Sequence, residues 1–174
     1  MFDQSERVLG VDPGLTRCGY AVLARGPGGR DEIVSLGVIR TPVGDDLARR
    51  LGALQDDIEA LIDDFAPTSV AVERVFFQAN VRTAMSVGQA SGVVLASAAR
   101  RGLDVAMYTP TQVKSSVAGD GSASKVQIQK MVQMRLRLPR PPSPADAADA
   151  AAIALCHLAM SPLAARVRNS VVGS

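Results

Sequence analysis

The spacing of apolar positions along this chain switches between periods of two and 3.6, and each switch predicts a change of element. Val8-Leu9-Gly10-Val11 is a short apolar run closed by Asp12, Pro13 and Gly14, which predicts a buried strand ending in a turn. Cys18 to Leu23 and Ile33 to Arg40 predict a second and a third strand around the loop Arg25-Gly26-Pro27-Gly28-Gly29-Arg30. Links this short favour an antiparallel meander, because parallel neighbours need a longer crossover. Leu47, Leu51, Leu54, Ile58, Leu61, Ile62 and Phe65 then recur on one helical face, with Asp56, Asp57, Asp63 and Asp64 largely on the other. Pro67 ends that helix. Val70-Ala71-Val72-Glu73 predicts a fourth strand, reached by a helical crossover and therefore parallel to the first.

Val81 to Arg101 predicts a long helix whose Ala, Ser and Gly content suits close packing, and Leu103 to Tyr108 a fifth strand. Further helices are expected near 110–117, 124–138 and 144–160, followed from about Pro162 by a flexible basic tail. A length of 174 residues fits one domain spanning 1–174. Three antiparallel strands followed by parallel ones make an α/β plan, a five-stranded mixed sheet flanked by helices. That is the element order of the ribonuclease H-like fold, and it carries no function by itself.

Composition narrows the setting. Hydrophobic residues make up 47% and charged residues 21%, the balance of an ordinary globular domain, and no apolar run is long enough to span a bilayer. The first seven residues carry acids and no apolar stretch, so no signal peptide is read and a cytoplasmic setting is expected. Cys18 and Cys156 are expected to be reduced, packed thiols. The net charge of +2 hides an asymmetry: residues 1–73 hold 13 acids and 7 bases, and residues 74–174 hold 4 acids and 12 bases. A basic half attracts polyanions, nucleic acid first among them, although a solvated surface explains charge alone equally well.

Four acids carry the candidate chemistry. Asp12 and Glu73 close the first and fourth strands, and parallel adjacent strands would bring them together at the sheet edge where open α/β sheets bind ligands. Taken singly, Asp12 can be a turn residue before Pro-Gly and Glu73 a partner of Arg74. Asp146 and Asp149 are three residues apart and share a helix face. Asp146 has a capping explanation, with Ser143 as N-cap and Pro144 at the first helical position. Asp149 has none, because it lies in the second turn of a helix otherwise made of Ala, Ile and Leu. Hard cations such as Mg²⁺ seek oxygen ligands of this kind. Four converging carboxylates can hold two ions, which clamp the attacking and leaving oxygens of a phosphodiester displacement.

The segments 11–20 (VDPGLTRCGY), 72–77 (VERVFF), 88–93 (GQASGV), 112–114 (QVK), 121–125 (GSASK) and 145–150 (ADAADA) resemble, in order and spacing, the bacterial RuvC Holliday-junction resolvases. The resemblance runs from residue 8 to about 160. It implies that Asp12, Glu73, Asp146 and Asp149 bind Mg²⁺ or Mn²⁺, that Phe76 stacks on an unpaired base at the junction centre, and that Lys114 and Lys125 contact the scissile region. It further implies a homodimer making two symmetric nicks, in recombination and repair, beside the RuvA–RuvB branch-migration complex. Ser91 stands where many members carry Arg, and some members carry His in place of Asp146.

Other residues are read beside that resemblance. Phe76 and Phe77 follow Glu73 directly, in a chain with four Phe, two Tyr and no Trp; Phe77 is expected in the core and Phe76 on a base. Arg74 and Arg82 flank them as DNA contacts. Gly119 to Lys125 leads into a helix and is expected to offer backbone N–H groups to a phosphate. Lys125 in a first helical turn opposes the helix dipole, which points to an anion nearby. His157 lies too far along its helix from Asp146 to share a metal and is read as structural. Two other readings stand against the nuclease: an actin-like or sugar-kinase-type ATPase with phosphate on Asp12-Pro13-Gly14, and a junction-binding protein whose acids are caps and salt bridges.

Overall fold

The structure is a computed structural model and describes residues 6–74 and 80–172, with side chains as far as Ser161. Its strands are β1 (Arg7–Asp12), β2 (Arg17–Arg25), β3 (Asp31–Arg40), β4 (Ser69–Glu73) and β5 (Asp104–Tyr108). They form one sheet in the order β3-β2-β1-β4-β5. The β1–β2 and β2–β3 pairs are antiparallel, and the β1–β4 and β4–β5 pairs are parallel. This is the expected α/β plan, with β1 in the centre between the meander and the two crossover strands.

Strand alternation sorts the sheet into two faces. Leu9 and Val11 of β1, Cys18 and Val22 of β2, and Val70 and Val72 of β4 pack with helices α1 (Leu47–Phe65) and α2 (Val81–Arg100). Val8, Ala21, Leu23, Ala71 and Tyr108 pack on the other face with α3 (Pro110–Ala118), α4 (Lys125–Arg135) and α5 (Ala145–Val172). Cys18 and Cys156 belong to opposite clusters, so the sheet stands between them; both are free and buried.

The same alternation decides where the acids go. Counting in twos from Val8 and Gly10 puts Asp12 on the α5 face, and counting from Ala71 puts Glu73 there too. Counting back from Leu23 and Ala21 adds Gly19 and Arg17.

Helix α5 lies directly on this face. A Cβ on Gly10 would overlap the Ala150 carbonyl oxygen and stand 2.8 Å from the Ala154 Cβ. A Cβ on Gly19 would overlap the Asp146 carbonyl oxygen and stand 3.1 Å from the Asp146 Cβ. Asp146, Ala150 and Ala154 are spaced by four, so one narrow stripe of α5 runs along a floor made by Gly19, Ala21 and Gly10.

Two helix ends differ from the expected ones. Helix α4 stops at Arg135 instead of near 138: Leu138 N–H donates to Gln133 O at 2.9 Å and Arg137 N–H to Met134 O at 3.2 Å, with Arg137 at φ 53°. That is a Schellman stop with Arg in the left-handed position usually given to Gly. Helix α5 continues to Val172, past the end expected near 160.

The glycine floor has a measurable consequence. Gly19→Ala is expected to lower unfolding free energy by about 1–3 kcal/mol, because the helix backbone must move to admit one methyl group. Gly52→Ala, on the exposed side of α1 with nothing within 4 Å, is expected to raise it by up to about 1 kcal/mol. Urea unfolding of both variants checks the opposite signs.

Candidate active site

Register brings the first two acids together. Val11 pairs with Val72 in the parallel β1–β4 ladder, so Asp12 and Glu73 follow side by side at the carboxyl ends of neighbouring strands. The fold then delivers Asp146 and Asp149 from the first two turns of α5. Among the described residues no three acids are gathered as a ready-made metal cluster. Two of the four are held instead by cations: Lys125 Nζ donates to Asp149 Oδ2 at 2.8 Å, and Arg17 reaches Asp146 Oδ2 with Nε at 2.7 Å and Nη2 at 2.6 Å.

Asp12 shows that the compensation is incomplete. Burial, reinforced by Glu73, Asp149 and Asp146, pushes its carboxyl up to about 7, while Lys125 acts in the opposite direction. Burial also raises Glu73, helped by Asp149 and opposed by Lys125 and Lys114. Lys125 is itself raised, chiefly by its bond to Asp149. Half-buried oxygen donors that repel one another are the donor set a hard divalent cation fits, so the residues present suit such an ion.

The capping explanation for Asp146 does not survive. Helix α5 begins at Ala145, and it is the Pro144 carbonyl that accepts from Ala148 N–H at 3.2 Å, so Ser143 does not cap it. Asp146 accepts from Arg17 through Oδ2. Glu73 makes no ion pair with Arg74 among the described residues; Arg74 is exposed and its backbone N–H donates to Tyr108 O at 2.7 Å.

Several N–H groups of the 119–125 loop are engaged within the protein. Ser122 N–H donates to Asp120 Oδ1 at 2.8 Å, Ala123 N–H to Asp120 O at 3.1 Å and Ser124 N–H to Gln127 Oε1 at 2.7 Å. What the loop does is start α4 with a Ser124–Gln127 capping box. That fixes Lys125 at the first helical position, aimed at Asp149.

Lys114 is placed by α3, whose Thr109–Gln112 capping box follows directly on Tyr108, the neighbour of Glu73 in the ladder. Lys114, Lys125, Glu73 and Asp149 share a cleft of about 250 Å³ whose floor is apolar, with Val113, Ile128 and Ile153. Arg82 is exposed at the start of α2, whose N-cap is Asn80. Phe76 and Phe77 lie outside the described residues. Ser91 is buried on the inner side of α2 and offers no phosphate contact. His157 is buried with Nδ1 2.8 Å from the Tyr108 hydroxyl, a structural pairing as expected.

Arg17 is the site residue that sequence reasoning missed. Its signal was parity: it shares the face of Gly19, the position that must pass beneath a helix carrying acids.

The family model described as crossover junction endodeoxyribonuclease RuvC matches residues 8–157. The chain belongs to the RuvC family. A crossover junction endodeoxyribonuclease RuvC from Parafrankia sp. (strain EAN1pec) is 54% identical over 162 residues, 93% of this chain and 91% of that one. One from Streptomyces avermitilis is 50% identical over 165 residues, 95% of this chain and 94% of that one. The Thermus thermophilus RuvC solved in complex with Holliday junction substrate superposes with a TM-score of 0.86 at 34% identity, covering 91% of this chain and 96% of that one. The RuvC fold is thus shared along nearly the whole chain, including every element that carries an acid of the site.

The raised Asp12 predicts how metal-free protein responds to pH. Its folded value of about 7 lies above the ordinary 3.8, so the unfolded chain gives up this proton first, and stability falls as pH rises between those values. Thermal melts in a chelator are expected to show that decline, with Asp12→Asn removing this component. Above pH about 7 the variant should melt higher, by roughly 2–4 °C for each kcal/mol of repulsion relieved. A variant melting lower than wild type there would mean that the Asp12 charge is structural.

Proposed function

We propose that this RuvC-family endonuclease resolves four-way (Holliday) DNA junctions with Asp12, Glu73, Asp146 and Asp149 as ligands for two Mg²⁺ ions, Mn²⁺ substituting. One observation carries the reading: Glu73, Asp149 and Asp146, from β4 and α5, lie near enough to Asp12 of β1 to raise its proton affinity, in a chain whose family model is that of a crossover junction endodeoxyribonuclease. When bound, the ions clamp the attacking and leaving oxygens of an in-line phosphodiester displacement.

The chain's own residues do the rest. Asp12 and Glu73, fixed by the β1–β4 ladder, set the depth at which the phosphate stops. Asp149 enters with Lys125 as its partner, and the Lys125 side chain is 60% exposed, so its outer donors are available to a phosphate oxygen. Lys114 lies on the same rim. Arg74 and Arg82, both exposed, flank residues 75–79 and attract the neighbouring backbone. Phe76 within that segment supplies a stacking surface for an unpaired base, a contact of roughly 1–3 kcal/mol. Not every base of the second half is free for DNA: Arg101 pairs with Asp63 and Glu59, and Arg135 approaches Asp31 at 3.9 Å.

The reading extends to a single-domain protein acting as a cytoplasmic homodimer beside RuvA–RuvB in recombination and repair. A junction is close to two-fold symmetric, and an isologous dimer makes paired symmetric nicks with one kind of site. Helix α2 offers a surface for it. Val81 and Met85 are 74% and 57% exposed, and Gly88 and Gly92 continue the same stripe with open space above them. Small and apolar residues in one line let two helices approach closely. No helix among the described residues is long and apolar enough to cross a membrane.

Asp12→Asn and Glu73→Gln are expected to slow nicking of a synthetic four-way junction by about 1,000-fold or more, equivalent to ~4 kcal/mol of transition-state stabilisation, while junction binding persists. Full activity in both variants would sink the assignment. Met85→Glu is expected to shift the protein toward monomer in light scattering at micromolar concentration; an unchanged dimer would move the interface elsewhere.

A further inference from the structure

We propose that Arg17 is a positioning residue for Asp146, holding one carboxylate oxygen so that the other is presented to the metal. The inference rests on the metal-site reading above. Both Arg17 contacts fall on the same atom, Asp146 Oδ2, at 2.7 and 2.6 Å. Oδ1 accepts no protein hydrogen bond among the described residues. A carboxylate gripped through one oxygen and free at the other is oriented as a ligand; one gripped through both would be spent as a counter-ion.

Arg17 is itself held in place. It opens β2, directly after the turn that begins at Asp12. Arg50, from the first turn of α1, donates to Thr16 Oγ1 at 2.9 Å and to Thr41 Oγ1 at 3.0 Å. The Thr41 hydroxyl, buried, donates to the Leu15 carbonyl at 2.6 Å. Gly14 completes the turn, since a Cβ there would overlap the Arg17 carbonyl oxygen. Helix α1 and the end of β3 thus brace the segment that aims Arg17.

The Arg17–Asp146 pair itself adds little to stability. The side chains of Arg17 and Asp146 are 37% and 29% exposed, and ion pairs so open to water contribute little. Nor does Asp146 depend on Arg17 to start α5, since the Pro144 carbonyl opens the helix ladder. The pair's remaining consequence is the direction in which Asp146 points. Among the described residues Lys125 bonds Asp149 and not Asp146.

The test is Mn²⁺ binding to the DNA-free protein, followed by the electron paramagnetic resonance signal of free Mn²⁺. Arg17→Gln is expected to weaken binding about 10–100-fold, the usual loss when the group orienting a ligand is removed. Arg17→Lys, which keeps the charge and one donor, is expected to recover part of it. In chelator the Arg17→Gln melting temperature should match wild type, and in junction nicking the loss should fall on the half-saturating Mn²⁺ concentration. Unchanged Mn²⁺ binding in Arg17→Gln overturns the proposal. Tighter binding overturns it too, by making Arg17 a competitor of the ion. Asp12→Asn separates the two layers: if it abolishes Mn²⁺ binding while Arg17→Gln does not alter it, the metal site stands and only the role of Arg17 falls. Mn²⁺ binding undiminished in Asp12→Asn removes both.

Discussion

Helix α5 can lie on β1 and β2 only because Gly10 and Gly19 leave room for the carbonyl oxygens of Ala150 and Asp146. Everything at the site follows from that contact. A helix resting on larger side chains would be held farther from the sheet, and its short aspartates farther from acids rooted in the strands. With glycine beneath it, the backbone itself comes down onto the sheet, and Asp146 and Asp149 arrive beside Asp12 and Glu73. The alanines of α5 serve the same purpose from above: Ala147, Ala148, Ala150, Ala151, Ala152 and Ala154 are all buried, and none holds the helix off. The floor is built for proximity at the expense of side-chain volume, and Ile153, Leu155 and Leu158 restore the core elsewhere on the helix.

Proximity of four acids then creates an electrostatic problem that the fold answers only in part. Arg17 and Lys125 come from opposite sides, one from the start of β2 and one from the start of α4, and each takes the acid of α5 that faces it. Among the described residues the two strand-end acids make no ion pair, and it is they whose proton affinity rises. The division is physically sensible. Acids on a helix end can be steered by a side chain, whereas Asp12 and Glu73 are fixed by the ladder.

Much of this was legible in the sequence, for reasons that can be named. The strands were visible because β1 and β4 are buried on both faces and read as apolar runs, and the crossover helix α1 made their parallel pairing unavoidable. Asp149 was visible because nothing in a helix of Ala, Ile and Leu explains it, and the structure gives it Lys125, the residue whose clash with the helix dipole asked for an anion. Arg17 was missed because its strand parity with Gly19 gains meaning only once β2 is known to pass beneath α5. The capping box at Ser143 was misread because local patterns name groups that can bond, and they do not reveal that Asp146 is drawn to Arg17.

That distinction also explains why the two sides of the site differ in kind. On the Lys side, rigidity comes from local devices: two capping boxes, at Thr109 and Ser124, set α3 and α4 so that Lys114 and Lys125 rim one cleft. On the Arg side, rigidity comes from distant chain, with Arg50 and Thr41 bracing the Asp12–Arg17 turn across 34 and 26 residues respectively. The first arrangement tolerates drift in the rest of the fold, because each helix carries its own cap. The second does not, since displacing α1 or the end of β3 loosens the turn that bears both Asp12 and Arg17. The acid at greatest risk from remote perturbation is therefore Asp146, whose orientation passes through Arg17 to that brace, while Asp149 is secured by a partner fixed within a single helical turn.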